Sequence, residues 1–543
     1  MKKQKAKVEI FLWIDAIKDL LDREIWENTF IFTFLSGLVI HLVVFANYVV
    51  NHDSIALPYN SLDWLICQGK WFVTPIVSWD GPINISYLAT AMGIVAFSLS
   101  AVVFCVIFHI HIKWECRLIG LCFVAFPSVA TMELYQSADY FGIVFLLAII
   151  GAYLLIKKGY INTIIGITCV VLSVGAYQPY IGVVLVILVM DCLVRALRNE
   201  SWKCILKRGV KYIVDAIIGL VLYYVILKIL ITVKGITLSS YKGMDKVDQN
   251  LRPDILVNSI VVAYKSILKF FIMDVLGIYG EKIAYLNIVL MLLFVALGVL
   301  VAYKKKALMN KINMVMAVIL AFFCLPLAAN FIGVLSANSS FYYISVAPFV
   351  LLFLLPIVFL NILANIEKEK EEIGHKKFCM VSKAEMLATA IVILLICLGW
   401  VVQNNVVYQK AMLINEEYDA KLNILTARIQ SINEYTEDSE IIIVGNPPYH
   451  FLDTTGVLKS IEEVYATGGY GLGDSNEVIY SKGILQSFWS NKYSVKINLE
   501  DEKLILNEYI DDIKRMAVYP DSESIALYDG KIVVKLSDNL GDN

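Results

Sequence analysis

Long apolar runs constrain this chain more than any other feature. A helix crossing a bilayer needs roughly 20 apolar residues, within about 17–25. Runs of this kind occur at 29–50, 85–110, 118–131, 140–156, 161–174, 180–194, 213–233, 284–303, 312–332, 342–363 and 386–402. They predict a mostly α, polytopic membrane helix bundle with about eleven transmembrane helices. Only 17% of the residues are charged, against about 25% in soluble proteins. The shorter runs flank tight polar joints and pair naturally as helical hairpins. No cleavable signal peptide is visible: Lys2, Lys3, Lys5 and Lys7 precede a mixed amphipathic stretch, then an apolar run too long for a signal segment.

Orientation follows from the basic residues, which collect in cytoplasmic loops. The N-terminus and every second loop hold them, as at Lys113/Arg117, Lys157/Lys158, 195–211, 304–306 and Lys376/Lys377. About 25 lysines and arginines lie on that side and about 8 on the other. This predicts a cytoplasmic N-terminus and, with an odd number of spans, an extracytoplasmic C-terminus. The segment 256–280 strains the pattern. It is largely apolar but carries Lys265, Lys269 and Asp274, and the helical spacing of its lysines favours an interfacial helix over a span.

Three regions result: a cytosolic amphipathic segment over 1–28, a transmembrane domain over 29–403 and a small extracytoplasmic α/β domain over 404–543. In the last, 408–435 reads as a helix, 440–445 as a buried strand and 502–516 as a helix. A hairpin is expected over 524–536, with Asp529-Gly530 at its turn. Nine of the ten cysteines lie in or beside apolar runs or in inner loops, and only Cys67 lies in an outer one. This gives no disulfide framework and no zinc-ligand spacing; Cys116 and Cys122 read as helix-packing residues. The net charge of −2 argues against a nucleic-acid partner.

Two outer loops are long, 51–84 and 234–283, and function concentrates in such loops. Asp53 sits just past the first run, at the membrane–water boundary, where a partly desolvated carboxylate can be poised as a base. An ordinary solvated loop aspartate fits the same position. The stretch 59–72 reads as a surface helix with Leu62, Leu65 and Ile66 on one face, and Trp64, Trp71 and Trp79 suit interfacial anchoring. Lys70, the only basic residue of that loop, reads either as a point charge for a phosphate or as a snorkelling side chain. The next outer joint holds Glu133, Tyr135, Gln136 and Asp139. These either line a cavity shared with Asp53, or Asp139 caps the fourth span. In the joint GAYQPYIG, Tyr177 and Gln178 suit sugar hydroxyls, while Pro179 also breaks the helix. His41, alone in mid-span, reads as a hydrogen-bonded core histidine. No P-loop, dinucleotide fingerprint, zinc-protease or serine-hydrolase motif is present. The inner loops are too short for an ATPase or nucleotide-sugar domain, so a donor used outside has to be carried there by lipid.

At these residues the chain resembles the GtrII-type bacterial glucosyltransferases, membrane enzymes of the GT-C class. His52-Asp53-Ser54 matches the family's acidic pair after the first span, and Gly69-Lys70-Trp71-Phe72 matches a GRWF-like element. Phe126-Pro127 in the third span, the acidic joint ending at Asp139 and Ala176-Tyr177-Gln178-Pro179 follow in order. The helix over 404–432, the strand ending at Gly445 and the closing hairpin complete the likeness. Two departures stand out: His52 replaces one acid, and Lys70 replaces the arginine, giving a point charge in place of a bidentate fork.

The resemblance implies a bacterial plasma-membrane enzyme. It would transfer glucose or a similar hexose from polyprenyl phosphate to a cell-surface polysaccharide or lipid-linked glycan on the outer face. A polyprenyl phosphate leaves readily, so one base suffices where a glycosidase needs two carboxylates. Asp53 is the expected base, and His52, Lys70, Glu133, Asp139, Tyr177 and Gln178 the expected substrate-binding residues. Lys234, Lys242, Lys246 and Arg252 rival Lys70 for the phosphate. No cofactor is demanded, and a divalent metal through Asp53 and Asp139 is compatible with the pattern. Two rival functions fit the pattern less well. A polysaccharide polymerase or ligase would be expected to carry an arginine-rich outer loop, and the second loop has only Arg252. A lipid-linked-sugar flippase favours internal repeats, and none is evident.

Overall fold

In the computed structural model the described residues are 2–49, 62–77, 85–135, 137–240, 252–272, 280–305, 310–336, 344–372, 383–445, 496, 498 and 501–540. The chain forms two compact units, Met1–Asn47 with Ser61–Asn405, and Tyr48–Asn60 with Val406–Asn543.

Among its described residues the first unit is built of helices joined by short turns. Among the described residues eight helices are long and apolar enough to cross a membrane, or nine with the bent pair Lys113–Ala125 and Pro127–Leu134. The difference from eleven has local causes. Tyr160–Ala176 and Ala284–Leu300 are apolar but shorter, and the first run is broken at His41 into Ile31–Ile40 and Leu42–Ala46. Conversely, Pro253–Ile272, expected as an interfacial helix, meets the length and hydropathy of a span. It packs a stripe of Ser259, Ala263, Ile267 and Phe270 inward and leaves Lys265 and Lys269 exposed.

Helix Trp202–Lys234 shows why this unit suits a bilayer. Tyr212, Ala216, Gly219, Tyr223 and Leu227 form its buried stripe at three- and four-residue spacing. Its outward face is just as apolar, with Ile213, Ile217, Val221 and Val225 about half exposed. A helix in water would turn polar residues outward. The helices meet closely through small residues, as membrane helices do. A Cβ added at Gly93 would lie 2.8 Å from Ala138 Cβ and 2.9 Å from the Ala138 backbone. Gly151 and Gly166 make a second such crossing, each 3.1 Å from the other's carbonyl oxygen by the same measure.

Breaks in these helices free backbone carbonyls, which apolar surroundings cannot satisfy. At the 41° bend before Pro127, His41 Nε2–H donates to Val124 O at 2.8 Å and Asn404 Nδ2 donates to Ala125 O at 2.9 Å. His41 is fully buried, the hydrogen-bonded core histidine its sequence position suggests. Asn330, at the break between Leu325–Ala329 and Phe331–Leu335, donates through Nδ2 to Ala263 O of the unbroken Pro253–Ile272 at 3.2 Å and ties the two together.

Among the described residues the second unit holds a three-stranded sheet, β1 (Ile441–Val444), β2 (Ile525–Tyr528) and β3 (Lys531–Lys535), in the order β1-β3-β2. β1 runs parallel and β2 antiparallel to β3. The β2–β3 turn has φ 48° at Asp529 and 73° at Gly530, the two positive values that match hairpin twist. Lys496 O accepts from Ile441 N, so the outer edge of β1 is paired as well. Helix Glu502–Arg515 lays Ile505, Leu506 and Ile513 on Ile442, Val444 and Val533. Buried Lys535 extends its ammonium to Lys514 O and Met516 O, placing a cation at the negative end of that helix.

Candidate functional site

Helix Leu62–Cys67 ends because Gly69 adopts φ 78°. Lys70 N donates to Leu65 O and Gly69 N to Ile66 O, the paired bonds of a left-handed helix stop. The surface helix expected over 59–72 is therefore shorter among the described residues. Leu65 and Ile66 are buried and Trp64 is 47% exposed. The chain then turns inward. Phe72 N donates to Gly175 O at 2.8 Å, and a Cβ at Gly175 would lie 2.5 Å from the Trp71 ring. Trp71 lies against the end of helix Tyr160–Ala176 with its indole nitrogen buried, not outward as an interfacial anchor.

The same turn meets the YQP joint. Gln178 Nε2 donates to Gln68 O at 2.8 Å and to Tyr223 Oη at 3.2 Å, and Tyr223 Oη–H donates to Gly69 O at 3.1 Å. Two motifs 110 residues apart are thus held together by Tyr223 from a third helix. Phe141 links this cluster to the acidic joint, its ring edge-on to Tyr177 with centroids 5.1 Å apart.

At the acidic joint, Glu133 stands in the last turn of Pro127–Leu134 and Asp139 in the first turn of Ala138–Ile156. Both are buried. Ser137, not Asp139, holds the cap position, and Asp139 lies where a helix N-terminus favours an acid. Thr90 Oγ1 donates to Glu133 Oε2 at 2.6 Å, and the two carboxyls are close enough to interact electrostatically. The Gly93–Ala138 crossing, one turn along from Thr90, brings these residues together.

Among the described residues, this end of the bundle also holds buried polar atoms with no hydrogen-bond partner: both amide atoms of Gln68, Trp71 Nε1, Thr74 Oγ1 and Glu133 Oε1. Each such group costs about 1–3 kcal/mol, and native proteins keep them mainly where a ligand or function requires them. Thr90, Gln68, Thr74 and Tyr223 were not singled out by sequence. Their signal is faint, a polar side chain near one end of an apolar run or beside the GKWF element.

Asp53 and His52, the expected base and its neighbour, lie outside the described residues, as do Trp79, Gln136, Lys242 and Lys246. Lys70 is half-buried. Of its rivals, Lys234 pairs with Asp63 at 2.5 Å and Arg252 with Asp254 at 3.3 Å. Among the described residues no three His, Cys, Asp or Glu side chains gather as a metal ion requires.

A bundle of apolar helices with a polar, partly unsatisfied cluster at one end defines a membrane protein with a built site. The profile of a family described as Glucosyl transferase GtrII matches residues 42–360, and the chain belongs to that family: it is a membrane glucosyltransferase. The match takes in the 51–84 loop, the acidic joint and the YQP joint and ends before the sheet domain. No curated protein and no solved structure matches the chain.

Proposed function

We propose that the protein is a GT-C-type enzyme that moves glucose, or a similar hexose, from a polyprenyl-phosphate carrier to a cell-surface polysaccharide or lipid-linked glycan. The observation that carries this reading is the convergence of the GKWF and YQP elements beside the acidic joint. There the unpartnered amide, indole, hydroxyl and carboxylate atoms offer hydrogen bonds of the kind a sugar takes. Lys70 holds the lipid phosphate as a point charge, Tyr177 and Gln178 face the sugar, and Asp53 with His52 takes the acceptor proton. The reaction breaks the anomeric carbon–phosphate oxygen bond and forms a glycosidic bond to the acceptor oxygen. The carrier phosphate leaves with the bonding pair. Lys70→Gln is expected to raise the donor KM several-fold more than the acceptor KM. An unchanged donor KM moves the phosphate to the 234–283 loop.

The reaction belongs on the outer face, with the sheet domain on the same side helping to bind the acceptor. A cysteine at exposed Ser522, with Cys67 and exposed Cys204 replaced by serine, should react with a membrane-impermeant thiol reagent in intact cells. Labelling only after permeabilisation would place that domain inside.

A further inference from the structure

The opposite end of the same helices holds a second built feature. Helix Ala138–Ile156 has 19 residues, so its ends lie roughly 28 Å apart. Where it finishes, Ser86–Phe108 and Ile181–Leu197 also finish and Trp202–Lys234 begins. Between them lies a cavity of about 320 Å³, within the size range of ligand sites. Val106, Ile107, Phe108, Ile156 and Val194 give it an apolar wall. Its polar wall is basic, with Lys157, Lys158, Arg195, Arg198 and Arg208 against Asp191 and Glu200.

Part of that charge has an internal use. Three helix C-termini converge here, and each attracts cations. Arg208 Nη1 donates to Ile156 O at 3.3 Å. Arg195 holds Asp191 and Glu200, each at 2.8 Å, and Lys157 holds Asp19 at 2.5 Å. The acids are then engaged, while Lys158 and Arg198 have no ion-pair partner among the described residues. His109 ends the first of these helices with φ 54°.

We propose that this cavity is a phosphate-binding site, in which Arg198 and Lys158 take an anionic phosphate group and the Val106–Phe108 wall takes apolar substance attached to it. Basic pockets between membrane helices on the cytoplasmic side suit lipid head groups, and a free phosphate offers the same chemistry. The site is separate from the glucosyl-transfer cluster and does not rest on the proposed donor.

The test uses full-length protein in nanodiscs of phosphatidylcholine, with the thermal midpoint as readout. Phosphatidylglycerol is added at increasing mole fraction, or inorganic phosphate at increasing concentration against matched chloride. Wild type should be stabilised, and Arg198→Gln with Lys158→Gln should weaken the apparent affinity at least about tenfold. Neither substitution breaks an internal ion pair, so the unliganded midpoint should hold. Arg198→Lys, which keeps the charge, should retain most of the response. Stabilisation by phosphatidylglycerol alone assigns the site to a lipid head group, and stabilisation by inorganic phosphate assigns it to a free phosphate. No response to either probe, or an equal response in wild type and the double variant, overturns the proposal.

Discussion

Replacing Asp53 with asparagine is expected to slow glucosyl transfer by about 10²–10⁴-fold, the usual worth of a positioned base. That corresponds to roughly 3–5 kcal/mol of barrier at about 1.4 kcal/mol per tenfold. Asparagine keeps the shape and removes the basicity, so expression and membrane insertion should be unchanged. His52 stands next to it and can take part of the role, giving residual activity with a shifted pH profile. Comparing Asp53→Asn, His52→Ala and the double variant at matched protein levels separates the two. Retention of more than about a tenth of wild-type transfer by Asp53→Asn would remove it as the base and make Glu133 or Asp139 the leading candidate.

The second large effect is expected at Glu133. One carboxylate oxygen accepts from Thr90, and the other is buried with no partner among the described residues. An acid kept in that state weakens the resting protein and suits a ligand that completes its hydrogen bonds. Glu133→Gln preserves volume and leaves an amide oxygen for Thr90 while removing the carboxyl group. Transfer should fall at least about tenfold, the scale of one lost hydrogen bond to the substrate. The thermal midpoint should hold, because the amide also leaves one buried polar atom without a partner. Activity lost at an unchanged midpoint marks a functional residue. A midpoint that falls along with activity would mark Glu133 as structural.

Much of the helical architecture is legible in the sequence because bilayer thickness is written directly into run length. Each of the eleven apolar runs meets a helix or helix pair, and the Asp529-Gly530 turn follows from local chemistry alone. What the runs do not show is where a helix breaks. His41 and Asn330 look like isolated polar residues until the carbonyls they face are known. The segment 253–272 is ambiguous for a physical reason: one stripe packs inward while the outer face mixes lysines with valines, as either an interfacial or a spanning helix could.

The candidate site was legible as motifs but not as an arrangement. Gly69-Lys70-Trp71-Phe72 and Tyr177-Gln178 stand out in order along the chain. Only the tertiary contacts of Gln178, Tyr223 and Gly175 bring them together. Trp71 illustrates the limit of composition, since a tryptophan beside a membrane run reads as an interfacial anchor. The space opened by Gly175, more than 100 positions away, turns it inward. Thr90 acquires meaning only through the Gly93–Ala138 crossing.

The most direct measurement is a transfer assay with purified full-length protein in nanodiscs, supplied with polyprenyl phosphate carrying radiolabelled glucose and with candidate surface glycans. The expected result is label moving into a glycan with release of polyprenyl phosphate, slowed about 10²–10⁴-fold in Asp53→Asn. Label that stays on the carrier with every acceptor, or transfer that proceeds only from a nucleotide sugar, would contradict a polyprenyl-phosphate-dependent glucosyltransferase.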